Sequence, residues 1–204
     1  MKTVIKYLGC FLMFVGLSQG QAAQTDPIQM MQSITTSVQA EIKKNRTKID
    51  RDPGAIYVVV DHIILPHVDF VEMAKWIAGK SAWNTSSAND QEKFIREFKV
   101  LVVRTYAITL NKYTDEKVEF LPLRKSASDT RIQISSKILR TDKEDIRVDY
   151  RLIASNDDWK LYDIVIEGVS ILKGFQAQFS EQIHNQGLNI VANKIKLHNE
   201  GKDK

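Results

Sequence analysis

The sequence contains a single cysteine, Cys10, and lacks the motifs of several common catalytic and nucleotide-binding sites. It has no Gly-x-Ser-x-Gly, no phosphate-binding loop and no dinucleotide-binding glycine pattern. Its four histidines, His62, His67, His184 and His198, include no pair at the spacing that places two metal ligands on one helix face. The sequence therefore gives little support to nucleophilic hydrolysis or nucleotide binding, and predicts no metal site.

The first 23 residues have the organisation of a signal peptide. Lys2 and Lys6 form a positive region, Tyr7–Leu17 is an apolar run, and small residues follow as far as Ala23. We expect cleavage after Ala22 or Ala23. A lipidated or uncleaved N-terminus is the less favoured alternative, because Cys10 precedes most of the apolar run. Since Cys10 lies inside this segment, the mature chain is predicted to be an exported protein that is stabilised by its core and not by disulfides.

The charge of the remaining chain is small. Removing the two lysines of the signal peptide lowers the formal net charge from +4 to +2. This is too little to indicate nucleic-acid binding by itself. No second apolar run reaches the length of a membrane span. Residues 24–204, about 180 in number, suit one domain.

Helix-start signals occur twice near the N-terminus. Asp26-Pro27 and Asp52-Pro53 each combine an N-cap with a proline at the first helical position. Apolar residues recur at helical spacing from Ile28 to Ile42 and again from Ile56 to Ile64. We expect two helices, the second ending at Leu65-Pro66.

Two further helices are predicted before the strands. A short helix is predicted from Asp69 to Gly79. Residues 81–89 are predicted to form a polar loop, in which Ser87 caps the longest helix, Asn89–Lys112.

Alternating apolar residues after Tyr113 indicate strands, and the clearest alternation runs from Ile146 to Leu152. The predicted strands are Val118–Leu123, Ile132–Ile138, Ile146–Leu152 and Trp159–Ile166. Gly187 separates two C-terminal helices. The order of elements predicts an α+β fold, in which N-terminal helices pack on a curved antiparallel four-stranded sheet, with C-terminal helices, as in NTF2-like or cystatin-like cones.

The stretch from Trp159 to Phe179 predicts a strand and a helix that together enclose the interior. Its strand is largely apolar on both faces and ends at Glu167-Gly168. Ser170 then caps a helix with one apolar stripe. Such a strand and helix can enclose either a packed core or a cavity, and periodicity does not distinguish the two.

The same stretch resembles the signature of the MlaC family, which are periplasmic phospholipid-binding proteins. The similar residues are Trp-Lys-x-Tyr-Asp-x-x-x-Glu-Gly-Val-Ser from Trp159, the following aromatic and Gln-x-Phe, the Leu65-Pro66 break, and the long helix with Tyr106. The resemblance implies a non-catalytic carrier that shuttles phospholipid between the outer and inner membranes and maintains outer-membrane lipid asymmetry. It also implies an outer-membrane lipoprotein–porin complex and an inner-membrane ABC transporter with a periplasmic ring as partners.

The resemblance also implies an apolar pocket for acyl chains, with phospholipid as cargo and no cofactor. Tyr106 and Val169 are the residues most directly placed at it, and Glu167 corresponds to a partner-docking position. The residues 83–90 depart from the family pattern by being rich in Ser and Asn. The residues predicted to line the pocket are Leu65, Val68, Met73, Ile77, Phe98, Val102, Tyr106, Val148, Tyr150, Ile164, Ile166, Val169 and Leu172.

Two other functions remain open from the residues alone. An NTF2-like enzyme acting on a small apolar ligand would need a buried carboxylate facing the pocket, with Asp163 and Glu167 as candidates beside Tyr106, Tyr150 and Tyr162. A non-lipid periplasmic adaptor would instead have its interior filled by its own side chains.

Overall fold

The computed structural model describes residues 26–110, 116–123, 129–156 and 158–202. The predicted signal peptide, residues 1–23, lies outside these ranges. The order of elements is a block of helices, a block of strands and two C-terminal helices, as predicted.

The helices of the described chain follow the predicted start and stop signals in most places. The Asp26 carboxylate accepts from the Ile28 and Gln29 N–H groups, and the Asp69 carboxylate accepts from the Glu72 N–H. The α-helices are α1 (Pro27–Lys44), α2 (Arg46–Arg51), α3 (Ile56–Val59), α4 (Phe70–Ala78), α5 (Lys80–Thr85), α6 (Ala88–Leu110), α7 (Ile171–Gln186) and α8 (Leu188–Asn199).

The prediction of a polar loop over residues 81–89 is wrong in its first half, because α5 occupies Lys80–Thr85. Gly79, with φ of 75°, ends α4 and allows the chain to turn directly into α5. Trp83 is buried among α4, α6 and α7, so its contacts hold this otherwise polar turn in helical form. The Ser87 cap is confirmed: its hydroxyl accepts from the Asp90 N–H.

The predicted helix over Ile56–Ile64 is irregular. A 3₁₀ turn, Pro53–Ala55, precedes α3, and a π-helical segment, Val60–Ile64, follows it. A second 3₁₀ turn, Leu65–His67, contains Pro66. Proline has no N–H to continue a helix, so the chain becomes extended at Val68.

The strands form one antiparallel sheet in the order β1-β2-β3-β4-β5. Its strands are β1 (Val118–Phe120), β2 (Arg131–Ile138), β3 (Ile146–Ser155), β4 (Asp158–Ile166) and β5 (Val169–Ser170). Among the described residues the sheet has five strands, one more than the four predicted. Glu167 and Gly168 have positive φ, and the turn that they form folds Val169 back beside Ile166.

The register separates two faces of the sheet. Val148 pairs with Ile166, which pairs with Val169, so these three side chains lie on one face. We call this the apolar face. Its members in β2 to β5 are Ile132, Ile134, Ser136, Ile138, Ile146, Val148, Tyr150, Leu152, Ala154, Trp159, Leu161, Ile164, Ile166 and Val169. The opposite face carries Arg131, Asp149, Arg151, Asp163 and Val165.

The buried apolar residues fall into three clusters. The helical cluster joins α4, α5, α6, α7 and α8 with Tyr162 of β4. The sheet cluster joins Met30 and Met31 of α1 with the apolar face near Trp159. The N-terminal cluster joins α1, α2, α3 and the π-helical segment with Ala107 of α6. A domain of this size usually has one contiguous core, so the division of the buried residues into three clusters is unusual.

Candidate functional site

The apolar face is covered at one end and open at the other. Near Trp159 it is packed against α1. At the other end, the exposed fraction of the side chains on this face rises from β3 to β5. It is 5% for Val148, 40% for Ile166 and 71% for Val169. These residues form a continuous apolar surface that runs from the interior to the edge strand β5.

Tyr150 lies in the middle of this face. Its ring is 5.9 Å from the Phe120 ring, centroid to centroid, and it packs on the sheet cluster together with Ile164. Its hydroxyl is 3.3 Å from the hydroxyl of Ser136, which is fully buried. Burial raises the pKa of Tyr150 above the ordinary tyrosine value, so the phenol remains neutral at physiological pH.

The turn from Leu65 to Val68 is held against β4. Lys160 Nζ donates to the Pro66 carbonyl at 2.8 Å, and the Asp69 N–H donates to the Leu161 carbonyl at 2.8 Å. Leu65 packs against the helical and N-terminal clusters, and Val68 packs against the helical and sheet clusters. The three clusters therefore meet at this turn.

Another group of the predicted pocket residues lies in the helical cluster. Met73, Ile77, Phe98 and Leu172 are buried there, and Val102 packs at its margin. Ile77 and Phe98 have no exposed surface, so they border no open space in this structure. Contact of these two side chains with a ligand would require the cluster to open.

Tyr106 lies on α6 beside this cluster. Its ring meets the Phe175 ring edge to face, with centroids 6.2 Å apart, and it remains 36% exposed. Desolvation raises its pKa. The residue thus presents an aromatic surface at the boundary between α7 and solvent.

Glu167 is exposed at the turn between β4 and β5. The Arg147 N–H donates to its carboxylate, and the Glu167 N–H donates to the Arg147 carbonyl at 3.0 Å. The side chain therefore helps to close the turn that carries Val169.

Asp163 is buried on the face opposite to the apolar face. Its carboxylate accepts from Arg151 Nη1 at 2.9 Å, Ser170 Oγ at 2.7 Å and the Leu172 N–H at 2.9 Å. These contacts give Asp163 a structural role at the start of α7. It does not supply the pocket-facing carboxylate that the enzyme alternative requires.

Sequence reasoning missed Ser136 as part of this region. It continues the alternation of Ile132 and Ile134 and precedes Ile138, so an inward position could have been inferred. A serine at an inward position of an apolar strand was the available signal.

No group of three or more potential metal ligands occurs among the residues that the structure describes. Within the same ranges, none of the helices combines the length and apolar composition that crossing a bilayer requires.

Comparison with known proteins places this fold in a family. The family model described as MlaC protein matches residues 32–196, and the chain belongs to this family. A relative from Haemophilus influenzae, the intermembrane phospholipid transport system binding protein MlaC, is 26% identical over 176 residues, which cover 85% of this chain and 82% of the relative. The toluene tolerance protein ttg2D of Pseudomonas putida is 25% identical, over 81% of this chain and 76% of that protein.

A solved structure shares the fold. It is the phospholipid-binding protein from Ralstonia solanacearum in complex with a phospholipid, with a TM-score of 0.77 and 26% sequence identity. The match covers 88% of this chain and all of the other.

Proposed function

We propose that this protein is a periplasmic phospholipid carrier that holds acyl chains against the apolar face of its sheet. The observation that carries the proposal is the continuous apolar surface from buried Val148 to exposed Val169. The phospholipid bound to the Ralstonia structure and the name of the Haemophilus relative support the same role.

We propose that the predicted pocket residues form three parts of the pocket. Val148, Tyr150, Ile164, Ile166 and Val169 form its sheet wall. Leu65 and Val68 lie where the three clusters meet, and Val102 and Tyr106 border the helical side. Met73, Ile77, Phe98 and Leu172 form its buried helical part, in which Ile77 and Phe98 have no exposed surface and would contact acyl chains only after rearrangement.

The free energy of burying acyl chains indicates that lipid release needs a partner. Each buried methylene contributes about 0.8 kcal/mol, so one sixteen-carbon chain contributes on the order of ten kcal/mol. Spontaneous release would be slow. The protein should therefore exchange lipid with membrane complexes that offer an equally apolar path.

The proposed partners are an inner-membrane ABC transporter complex with a periplasmic ring and an outer-membrane lipoprotein–porin complex. The transport-system name of the Haemophilus relative supports a transporter partner. Glu167 and the exposed Val169 are a proposed docking position, because both lie at the open end of the apolar face. Residues 1–23 are proposed to direct export, and residues 24–204 to form the mature lipid-binding domain.

An enzymatic role is not proposed. The buried Asp163 is fully engaged in structural hydrogen bonds, and the relatives are named for transport, lipid binding or tolerance.

The test is native mass spectrometry of the protein purified from the periplasm without detergent, with lipid extraction alongside. We expect a stoichiometric phospholipid adduct. Val169→Glu should reduce the adduct, because it places a charge on the apolar surface. Ile190→Glu is the matched control, since Ile190 is an exposed apolar residue on α8. Lipid-free protein in the wild type, or an equal loss in both variants, would contradict the proposed pocket.

A further inference from the structure

The apolar face contains two hydroxyl groups, those of Ser136 and Tyr150. Ser136 pairs with Val148 across β2 and β3, and Tyr150 pairs with Ile134. The two hydroxyl oxygens are 3.3 Å apart. A small number of polar groups in an otherwise apolar pocket commonly orients the ligand.

The hydrogen bonds of this pair are incomplete. Each hydroxyl carries one hydrogen, and the single bond between the two groups uses one of them. Among the residues that the structure describes, neither side-chain hydroxyl has another hydrogen-bond partner. Since Ser136 Oγ donates to the Tyr150 hydroxyl oxygen, it is the Tyr150 hydrogen that lacks a protein acceptor there, on a largely buried surface, where an unmade hydrogen bond is unfavourable.

A phospholipid supplies a suitable acceptor. Its ester carbonyls are acceptors without hydrogens, and they lie where the acyl chains begin. If acyl chains occupy the apolar face, the ester region is the nearest polar part of the lipid. The raised pKa of Tyr150 keeps its proton available for donation.

We propose that the Tyr150 hydroxyl, which accepts from the buried Ser136 hydroxyl, donates a hydrogen bond to an ester carbonyl of the bound phospholipid. This inference rests on the proposed carrier function. It identifies the pair as the polar anchor that sets the depth of the lipid.

The test compares an ester-linked with an ether-linked phospholipid. Wild-type protein and Tyr150→Phe are incubated with vesicles containing equal amounts of dioleoyl phosphatidylglycerol and its diether analogue, which lacks the carbonyl groups. Native mass spectrometry then gives the ratio of the two bound lipids. We expect the wild type to prefer the diester about threefold to tenfold, the range of one neutral hydrogen bond, and Tyr150→Phe to lose the preference.

The ratio of bound diester to bound diether lipid tests the hydrogen bond, whereas the binding of either lipid tests the carrier function. Equal binding of both lipids by the wild type would overturn the anchor and leave the carrier function intact, whereas failure to bind either lipid would count against both. A Tyr150→Phe protein that keeps the diester preference would also overturn the anchor. Tyr57→Phe, a half-buried tyrosine on α3, is the control and should keep the wild-type ratio.

Discussion

Arg151 and Asp163 face each other across β3 and β4, with Arg151 Nη1 2.9 Å from Asp163 Oδ2. The Asp163 side chain has no exposed surface, and it also accepts from Ser170 and the Leu172 N–H. One carboxylate thus joins the centre of the sheet to the first turn of α7.

Asp163→Asn should lower the free energy of unfolding by about 2 to 3 kcal/mol, because it removes the charge from a buried pair and leaves partners without a full acceptor. Urea denaturation measures the change. Asp50→Asn is the control, since Asp50 pairs with Arg46 on the surface and should leave the midpoint unchanged. Equal midpoints for wild type and Asp163→Asn would show that the carboxylate does not stabilise this junction.

Gly168→Ala should destabilise the protein by about 1 to 2 kcal/mol. Gly168 has φ of 80°, and a Cβ there would meet no atom within 4 Å, so the cost is conformational and not steric. We expect Gly174→Ala to change stability in the opposite direction, because Gly174 lies inside α7 and a Cβ there would also meet no atom within 4 Å. Alanine should stabilise that helix by up to about 1 kcal/mol. Thermal denaturation of the two variants should give shifts of opposite sign, and shifts of the same sign would contradict this interpretation.

Tyr150 should contribute a pH-dependent term to stability. Burial raises its pKa in the folded state above the value near 10 that the unfolded chain retains. The unfolded state therefore loses the proton first, and the contribution is fully present below about pH 10 and lost as pH rises through the folded pKa. Between about pH 9 and pH 11, wild type should lose more stability than Tyr150→Phe. Parallel pH profiles in urea denaturation would exclude this contribution.

Ile164 and Val165 are neighbours on opposite faces of β4. Ile164→Ala should weaken lipid retention about tenfold, because it removes apolar contact from the proposed pocket. Val165→Ala should lower stability by about 1 to 2 kcal/mol and leave lipid retention unchanged, since Val165 is buried on the other face. Lipid extraction and denaturation measured on both variants separate the two effects. Equal lipid loss would mean that the apolar face is not the binding wall.

Most elements could be predicted because their signals are local. The caps at Asp26, Asp69 and Ser170 act within one helical turn, and the alternation in Ile146–Leu152 directly reflects one apolar side of a strand. The end of β4 at Glu167-Gly168 was likewise predicted, but the reversal that follows it into β5 was not.

The errors concern features that depend on tertiary contacts. The helix α5 is polar in sequence and is held by the burial of Trp83. The strand β5 has two residues, too few to show alternation. Periodicity also could not separate a fully packed side chain such as Phe98 from an exposed one such as Ile166, because both occupy regular apolar positions.

The meeting of three clusters at the turn from Leu65 to Val68 has a consequence for the rate of lipid exchange. Movement of this turn would withdraw Leu65 and Val68 from the margins of the clusters while the buried residues at the centre of each cluster stay packed. Such local opening costs less free energy than global unfolding. A partner that displaces the Lys160 and Asp69 hydrogen bonds of this turn could therefore accelerate release while the rest of the domain stays folded.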